Sequence, residues 1–143
     1  MQPFRPIALV ALPLLFVGAL AACLPLPERA EPVGTPTGAQ DYASYCAVCH
    51  GDNGKGNGPG AQGLAQKPAD LTTIAARNGG TFPMTRVMAH IWGYAQEDGR
   101  VMPRFAPLLD GNMVLFDGGD GIATPTPVRL VQLGEYVKSL QGS

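Results

Sequence analysis

The sequence predicts an all-α domain in which three to five short helices are joined by long loops. Apolar residues recur at helical spacing in two segments, Met84, Val87, Met88 and Ile91, and Leu130, Leu133, Val137 and Leu140. The 143 residues also include 19 glycines and 14 prolines, which favour turns and loops. We expect helices near Gly38–Cys49, Leu71–Arg77, Pro83–Trp92 and Pro127–Leu140, the last with Thr126 as N-cap and Pro127 as first helical residue.

The composition limits the kind of domain and the kind of partner. A loop-rich domain of about 100 residues has a small core, and such domains often depend on disulfides, a metal or a cofactor. Three cysteines are a poor basis for a disulfide framework. The formal net charge of −1 excludes a strongly basic surface, so we expect no nucleic-acid partner.

The first residues have the pattern of an export signal. Arg5 precedes an uncharged, mostly apolar run, Ile7–Ala22, and Cys23 follows Leu20-Ala21-Ala22. This ending resembles the lipobox of bacterial lipoprotein precursors, so we expect cleavage after residue 22 and lipidation of Cys23. The alternatives are ordinary cleavage without lipidation and an uncleaved anchor, although a membrane-spanning helix needs about 20 apolar residues.

A proline-rich segment separates this signal from the domain. Pro25, Pro27, Pro32 and Pro36 lie among polar and small residues that cannot pack a core. We interpret residues 23–37 as a lipid-anchored tether and residues 38–143 as the domain. At about 3.1 Å per residue, the tether could hold the domain up to roughly 40 Å from a membrane.

Cys46-Ala47-Val48-Cys49-His50 is the C-x-x-C-H arrangement of c-type haem attachment. The cysteine spacing places both thiols on one side of a helical turn, where they can bind one haem covalently, and His50 can reach the iron. A zinc site would have to recruit His90, Cys23 or carboxylates, and a thioredoxin-like pair needs a βαβ context that is absent. The motif therefore predicts one covalently bound haem c.

The residues around this motif resemble the class I c-type cytochrome family from Gly38 to Gln141. Gly38, Tyr42 and Cys46 match the family's spacing on its N-terminal helix, and Leu133 and Tyr136 look like the residues that cross it from the C-terminal helix. The resemblance implies the cytochrome c fold around one haem, with the two terminal helices packed as a pair.

The resemblance also implies an acceptor for the proximal histidine. In the family, a proline carbonyl in a Gly-Pro segment accepts a hydrogen bond from that histidine, and Pro59 in Gly58-Pro59 is similar. Pro68 is a second candidate. The glycine-rich run before Pro59 lacks the Gly-Lys-Ser/Thr of a phosphate loop, so we interpret it as a loop beside the haem.

Met102 is the predicted second axial ligand, because Val101-Met102-Pro103 resembles the family's Met-Pro signature and lies in an irregular stretch. Met84 and Met88 share the apolar face of a predicted helix, so we expect them in the core, although both remain alternatives. On that helix, His90 is expected at the edge or in solvent.

The segment from Gly111 to Thr124 is predicted to be a surface insertion. It is rich in Asp and Gly, but it lacks the spaced Asp series and closing Glu of a calcium-binding EF-hand.

The expected function is one-electron transfer by an extracytoplasmic, membrane-anchored lipoprotein on the periplasmic side, with redox proteins as partners. We expect the protein to be a monomer. We also expect no enzymatic activity, because two axial ligands leave no open site on the iron. The alternatives are a haem subunit of a membrane oxidoreductase, and a haem enzyme or gas sensor with an open sixth site.

Overall fold

Residues 34–95 and 101–142 are the part of the chain that a computed structural model describes. The predicted export signal, Cys23 and the tether as far as residue 33 lie outside these residues. Within the described ranges, no helix is both long enough and apolar enough to cross a membrane. These ranges are mainly helical, so the predicted all-α fold class is confirmed, with one β-hairpin added.

The predicted first helix is present, but it changes its winding twice. It consists of α1 (Gly38–Asp41), a π-helical turn (Tyr42–Cys46) and α2 (Ala47–His50), which follow one another without a break. Thr37 and Gln40 form a capping box at its start, with the Thr37 hydroxyl accepting from the Gln40 amide at 3.2 Å. Gly51, at φ 77°, ends it in a conformation that favours glycine.

The middle of the chain forms short helices separated by loops. They are a 3₁₀ turn (Pro59–Ala61), a second 3₁₀ turn (Leu71–Thr73), α3 (Ile74–Arg77), α4 (Met84–Trp92) and α5 (Ala106–Leu109). The helices predicted near Leu71–Arg77 and Pro83–Trp92 are therefore confirmed, whereas α5 was not predicted. Asp70 begins the second 3₁₀ turn by accepting from the Thr72 amide at 2.8 Å.

The insertion is a β-hairpin at the protein surface. Strand β1 (Met113–Asp117) pairs antiparallel with β2 (Ala123–Pro127), and its loop is held by the Asp117 carboxylate, which accepts from three loop amides. These hydrogen bonds lower the pKa of Asp117. The surface location agrees with the prediction, but the strands were missed because β2 contains two prolines, which usually argue against a strand.

The hairpin runs directly into α6 (Val128–Ser139), which corrects the predicted helix start. Thr126 belongs to β2, and its hydroxyl donates to the Thr124 carbonyl at 2.9 Å instead of capping the helix. Pro127 is the N-cap residue, and the first helical amide, that of Val128, donates to the Asn112 carbonyl at 2.8 Å. The strand ladder therefore satisfies a helix-terminal donor that a Thr cap would otherwise serve.

The terminal helices cross as predicted, at Gly38. A Cβ atom on Gly38 would lie only 2.0 Å from the backbone oxygen of Gln132 in α6, so a larger residue cannot occupy this position without separating the helices. Next to the crossing, the rings of Tyr42 and Tyr136 pack with centroids 5.0 Å apart. Tyr42 also donates to the Gly51 carbonyl at 2.7 Å, which ties the crossing to the end of the haem motif.

A buried ion pair reinforces this crossing. Asp41, whose exposed fraction is 2%, accepts from Arg129 Nε at 3.0 Å and from its Nη2 at 2.5 Å. The remaining Arg129 nitrogen donates to the Leu108 carbonyl. The bond to Asp41 raises the pKa of Arg129. One side chain thus connects α1, α5 and α6.

Candidate haem site

An apolar cavity of about 460 Å³ adjoins the N-terminal helical segment, α4 and the loop that contains Met102. Its volume falls within the range of about 300–1,000 Å³ that is typical of small-molecule and cofactor sites. Cys46, Cys49, His50 and Met102 all line it. The structure therefore brings together the four residues that the sequence predicts to hold a haem.

The two thiols occupy consecutive turns of the first helical segment. Cys46 is buried at the end of the π-helical turn, and Cys49 is half-buried in α2. As a free thiol, Cys46 has its pKa raised to about 12, chiefly by burial and further by the charges of Asp41 and Cys49. Before any attachment, this thiol stays protonated at neutral pH.

The orientation of His50 is set by a backbone carbonyl. Its Nδ1 lies 3.0 Å from the carbonyl oxygen of Ala69, and because a carbonyl only accepts, Nδ1 must donate. Burial lowers the pKa of His50, although the bond to Ala69 opposes this shift. The ring is therefore neutral at neutral pH, and Nε2 is the nitrogen left for the iron.

The prediction that Pro59 supplies this acceptor is wrong. Pro59 is exposed at the start of a 3₁₀ turn, and the preceding Gly58 lies against the α2 backbone, where a Cβ would be 2.4 Å from the Val48 oxygen. The Gly-Pro segment therefore packs on the backbone of α2, and Pro59 is not among the residues that line the cavity. The acceptor is Ala69, next to the second candidate Pro68, which itself lines the cavity.

Met102 is half-buried and lines the cavity, whereas Met84 and Met88 are buried elsewhere in the core. A Cβ on Gly134 would lie 2.9 Å from the Met84 sulfur and 3.1 Å from Met88 Cγ, so both methionines pack on α6. Met113 is exposed on β1. Among the methionines of the described ranges, Met102 is the one that lines the cavity.

Helix α4 faces the core on one side and the cavity on the neighbouring side, and His90 lies half-buried at its edge, in agreement with the expected edge position. Its Met84, Met88 and Ile91 face the core, and the neighbouring face, including Val87 and His90, lines the cavity. His90 is half-buried and lies at the cavity wall, not in solvent. A single apolar stripe predicts only one buried face, so the sequence pattern could not reveal the second.

Comparison with known proteins supports the same assignment. A family model described as Cytochrome c matches residues 36–109, which is more than half of the chain. The chain belongs to the cytochrome c family. No curated protein and no solved structure gave a match. Membership assigns a covalently bound haem c and haem-based electron transfer to this protein.

The cavity residues of this cytochrome fit a covalently attached haem. Two thiols, an unprotonated imidazole nitrogen and a thioether sulfur line one largely apolar cavity, and they are the donor set of a c-type centre. Because Nδ1 of His50 is already engaged, the ring cannot rotate without breaking a hydrogen bond. The chain thus presents one nitrogen in a defined orientation.

Sequence reasoning missed the clamp that holds the Ala69 loop in this cytochrome. Gln141 donates to the Leu71 carbonyl at 2.8 Å and accepts from the Ala75 amide at 2.9 Å, and the Gly142 amide donates to the Thr72 carbonyl at 3.0 Å. The N-cap pattern of Asp70 could have marked the start of this turn. The long-range bonds leave no sequence signal.

Proposed function

We propose that this protein is a monohaem electron carrier, in which Cys46 and Cys49 bind the haem and His50 and Met102 are its axial ligands. The observation that carries the proposal is that these four side chains line one cavity. A single C-x-x-C-H motif in the sequence supports one haem. When bound, the haem supplies one-electron exchange between Fe(III) and Fe(II).

The protein itself holds, orients and shields the haem. His50 is oriented by Ala69, and the largely apolar walls of the cavity surround the half-buried axial side chains. If Met102 occupies the sixth position, no site remains for oxygen or peroxide, and the thioether favours a higher reduction potential. These properties suit a carrier better than an enzyme.

The test compares Met102→Ala with Met88→Ala in the haem-loaded full chain. Met102→Ala should abolish the methionine–iron band in the visible spectrum, permit CO binding and lower the reduction potential in a spectroscopic redox titration. Met88→Ala, the matched control, should retain the band and cost about 2–5 kcal/mol of stability as a buried side chain. Loss of the band in the Met88 variant alone would refute the assignment of Met102.

The same measurement separates the carrier from the haem enzyme or gas sensor. If the unmodified protein already binds CO readily, its sixth site is open, and the enzyme or sensor becomes the better proposal. A carrier should instead show CO binding only after Met102 is replaced. Stable co-purification with other redox subunits would favour a haem subunit of a membrane oxidoreductase.

We also propose an extracytoplasmic location on the periplasmic side, with Cys23 lipidated and residues 23–37 acting as a tether. The apolar run before Cys23 and the following prolines support this proposal. In the described part of the chain the first helix begins after Thr37, and residues 34–37 precede it as non-helical backbone. A tethered domain can reach membrane-associated donors and acceptors in turn.

Redox partner proteins are proposed to dock at the cavity rim. Val48 and Val101 both line the cavity and are 51% and 39% exposed, so apolar surface borders the haem site. Small apolar contacts of this kind suit transient electron-transfer encounters, which need proximity more than affinity. Val48→Lys should slow electron exchange with the physiological partner while leaving the visible spectrum unchanged.

A further inference from the structure

The β-hairpin has two outer edges, and the hydrogen-bond register defines what each edge offers. The Val128 amide donates to the Asn112 carbonyl, so these opposite residues form a hydrogen-bonded pair. Such pairs alternate along an antiparallel ladder. Met113, Leu115 and Asp117 therefore occupy the other class of pair, and their amide and carbonyl groups point away from β2.

The two edges differ because of the prolines. Pro127 and Pro125 lie opposite Met113 and Leu115, so two of the donors that would point outward from β2 are missing and only that of Ala123 remains. An edge that lacks donors at successive outward positions cannot continue a regular sheet. On the β1 edge, Met113 and Leu115 keep the outward backbone N–H groups that the prolines opposite them lack. Only one side of this hairpin can accept another strand.

The β1 edge is apolar and uncovered in the described part of the chain. Met113, Val114 and Leu115 are 54%, 40% and 74% exposed, and no hydrogen bond among the described residues engages the outward groups of Met113 and Leu115. The elements that pack most extensively on β1 are β2 and α6, and Gly118, directly after β1, lies against Thr85 of α4. Its one charge, Asp117, is committed to its own loop. Natural edge strands usually carry lysine or proline against such pairing.

We propose that β1 pairs antiparallel with β1 of a second copy of this chain. Centred on Leu115, the pairing places Leu115 against the partner's Leu115, Met113 against the partner's Asp117 and, by symmetry, Asp117 against the partner's Met113. These three residue pairs each exchange two hydrogen bonds, so every outward group on β1 is satisfied. The two Asp117 carboxylates lie at opposite ends of the interface and do not repel each other closely.

This arrangement closes at two copies. The combined four-stranded sheet ends on both sides with β2, and both of these edges lack donors at the proline positions. A lipid surface could cover the apolar side chains, but it offers no partner for the backbone groups. The dimer replaces the monomer expected from the sequence, and it does not depend on the proposed electron-carrier role.

The decisive variant is Leu115→Pro in the haem-loaded full chain in detergent micelles. It removes the outward donor but no bond to β2, because Leu115 faces β2 in a non-hydrogen-bonded pair. Leu115→Thr is the matched control, since it shortens the side chain and keeps the donor. Sedimentation equilibrium should give dimers for the unmodified and Thr proteins, and dimerisation at least about tenfold weaker for the Pro protein.

Hydrogen exchange provides a readout that does not depend on side-chain apolarity. The Met113 and Leu115 amides should become protected as protein concentration rises, with no change at the Val48 amide in α2. A monomeric unmodified protein, a Pro variant that dimerises normally, or a Thr variant that loses the dimer equally would overturn the proposal. So would protection that requires phospholipid vesicles instead of higher protein concentration. An unchanged visible spectrum and unfolding midpoint would show that the Pro variant is folded.

Discussion

Replacing Arg129 by methionine tests how the terminal helices are held together. The substitution keeps much of the side-chain length but removes the cation that binds Asp41 through two hydrogen bonds. Asp41 is 2% exposed, so its carboxylate cannot regain equivalent contacts with water. Arg129→Met therefore leaves a buried charge without its partner, which is a far larger perturbation than the loss of a surface ion pair.

The expected loss follows from the burial of the two partners. Removing one member of a buried ion pair costs about 3–5 kcal/mol. The Arg129 side chain is itself 20% exposed, so some water reaches the site and the lower limit applies. A loss of about 3 kcal/mol raises the unfolded fraction by roughly two powers of ten. The Asp41→Asn/Arg129→Met double variant should recover part of this loss, because no buried charge remains.

Urea unfolding of the haem-loaded protein, followed by helical circular dichroism, measures these differences. Lys138→Met is the matched control, because Lys138 forms an exposed pair with Glu135 at 3.6 Å on the same helix. The control should change stability by less than about 0.5 kcal/mol. If Arg129→Met lowers the free energy of unfolding as little as Lys138→Met does, the ion pair with Asp41 does not stabilise the crossing and the reasoning is wrong.

Three further changes test other parts of the protein. Gly38→Ala should lower the free energy of unfolding in urea by about 1–3 kcal/mol, because the added methyl group collides with α6. Gly34→Ala is the control and should leave stability unchanged, because no atom lies within 4 Å of the added methyl group. The depressed pKa of Asp117 favours folding above its unfolded pKa, so the protection factor of the Gly119 amide, the ratio of its intrinsic to its observed exchange rate at the same pH, should decrease below about pH 4, and Asp117→Ala should show that low protection at every pH. Cys23→Ala should release the protein from membranes with an unchanged haem spectrum; persistent attachment would indicate an uncleaved anchor.

The helices and the haem motif could be predicted because their signals are local. Apolar spacing located α4 and α6, and the C-x-x-C-H pattern located the thiols and His50 within five residues. The crossing at Gly38 followed from the resemblance, and its cause is visible in the structure as a contact too close for any Cβ. The helices and the motif depend on residues a turn or two apart, whereas the crossing joins distant residues and was supplied by the resemblance alone.

The errors concern contacts between distant residues. The acceptor of His50 is 19 residues away, and two Gly/Pro-containing loops competed for that place with no local signal to decide between them. Arg129 is 88 residues from Asp41, so their pairing appears only once the helices cross. The strand β2 was hidden because its prolines, which usually exclude a strand, lie where outward donors are dispensable.

The clamp at residues 141–142 has a consequence for the order in which the protein matures. Gln141 lies 70 residues beyond Leu71, whose carbonyl it holds, and that loop carries the acceptor that orients His50. During synthesis the attachment cysteines emerge well before the residues that steady the proximal histidine. Until Gln141 and Gly142 are in place, the segment that follows Ala69 lacks three of its hydrogen bonds. Docking of the C-terminal helix therefore precedes the final orientation of His50, so the position of the proximal ligand depends on how far folding has gone.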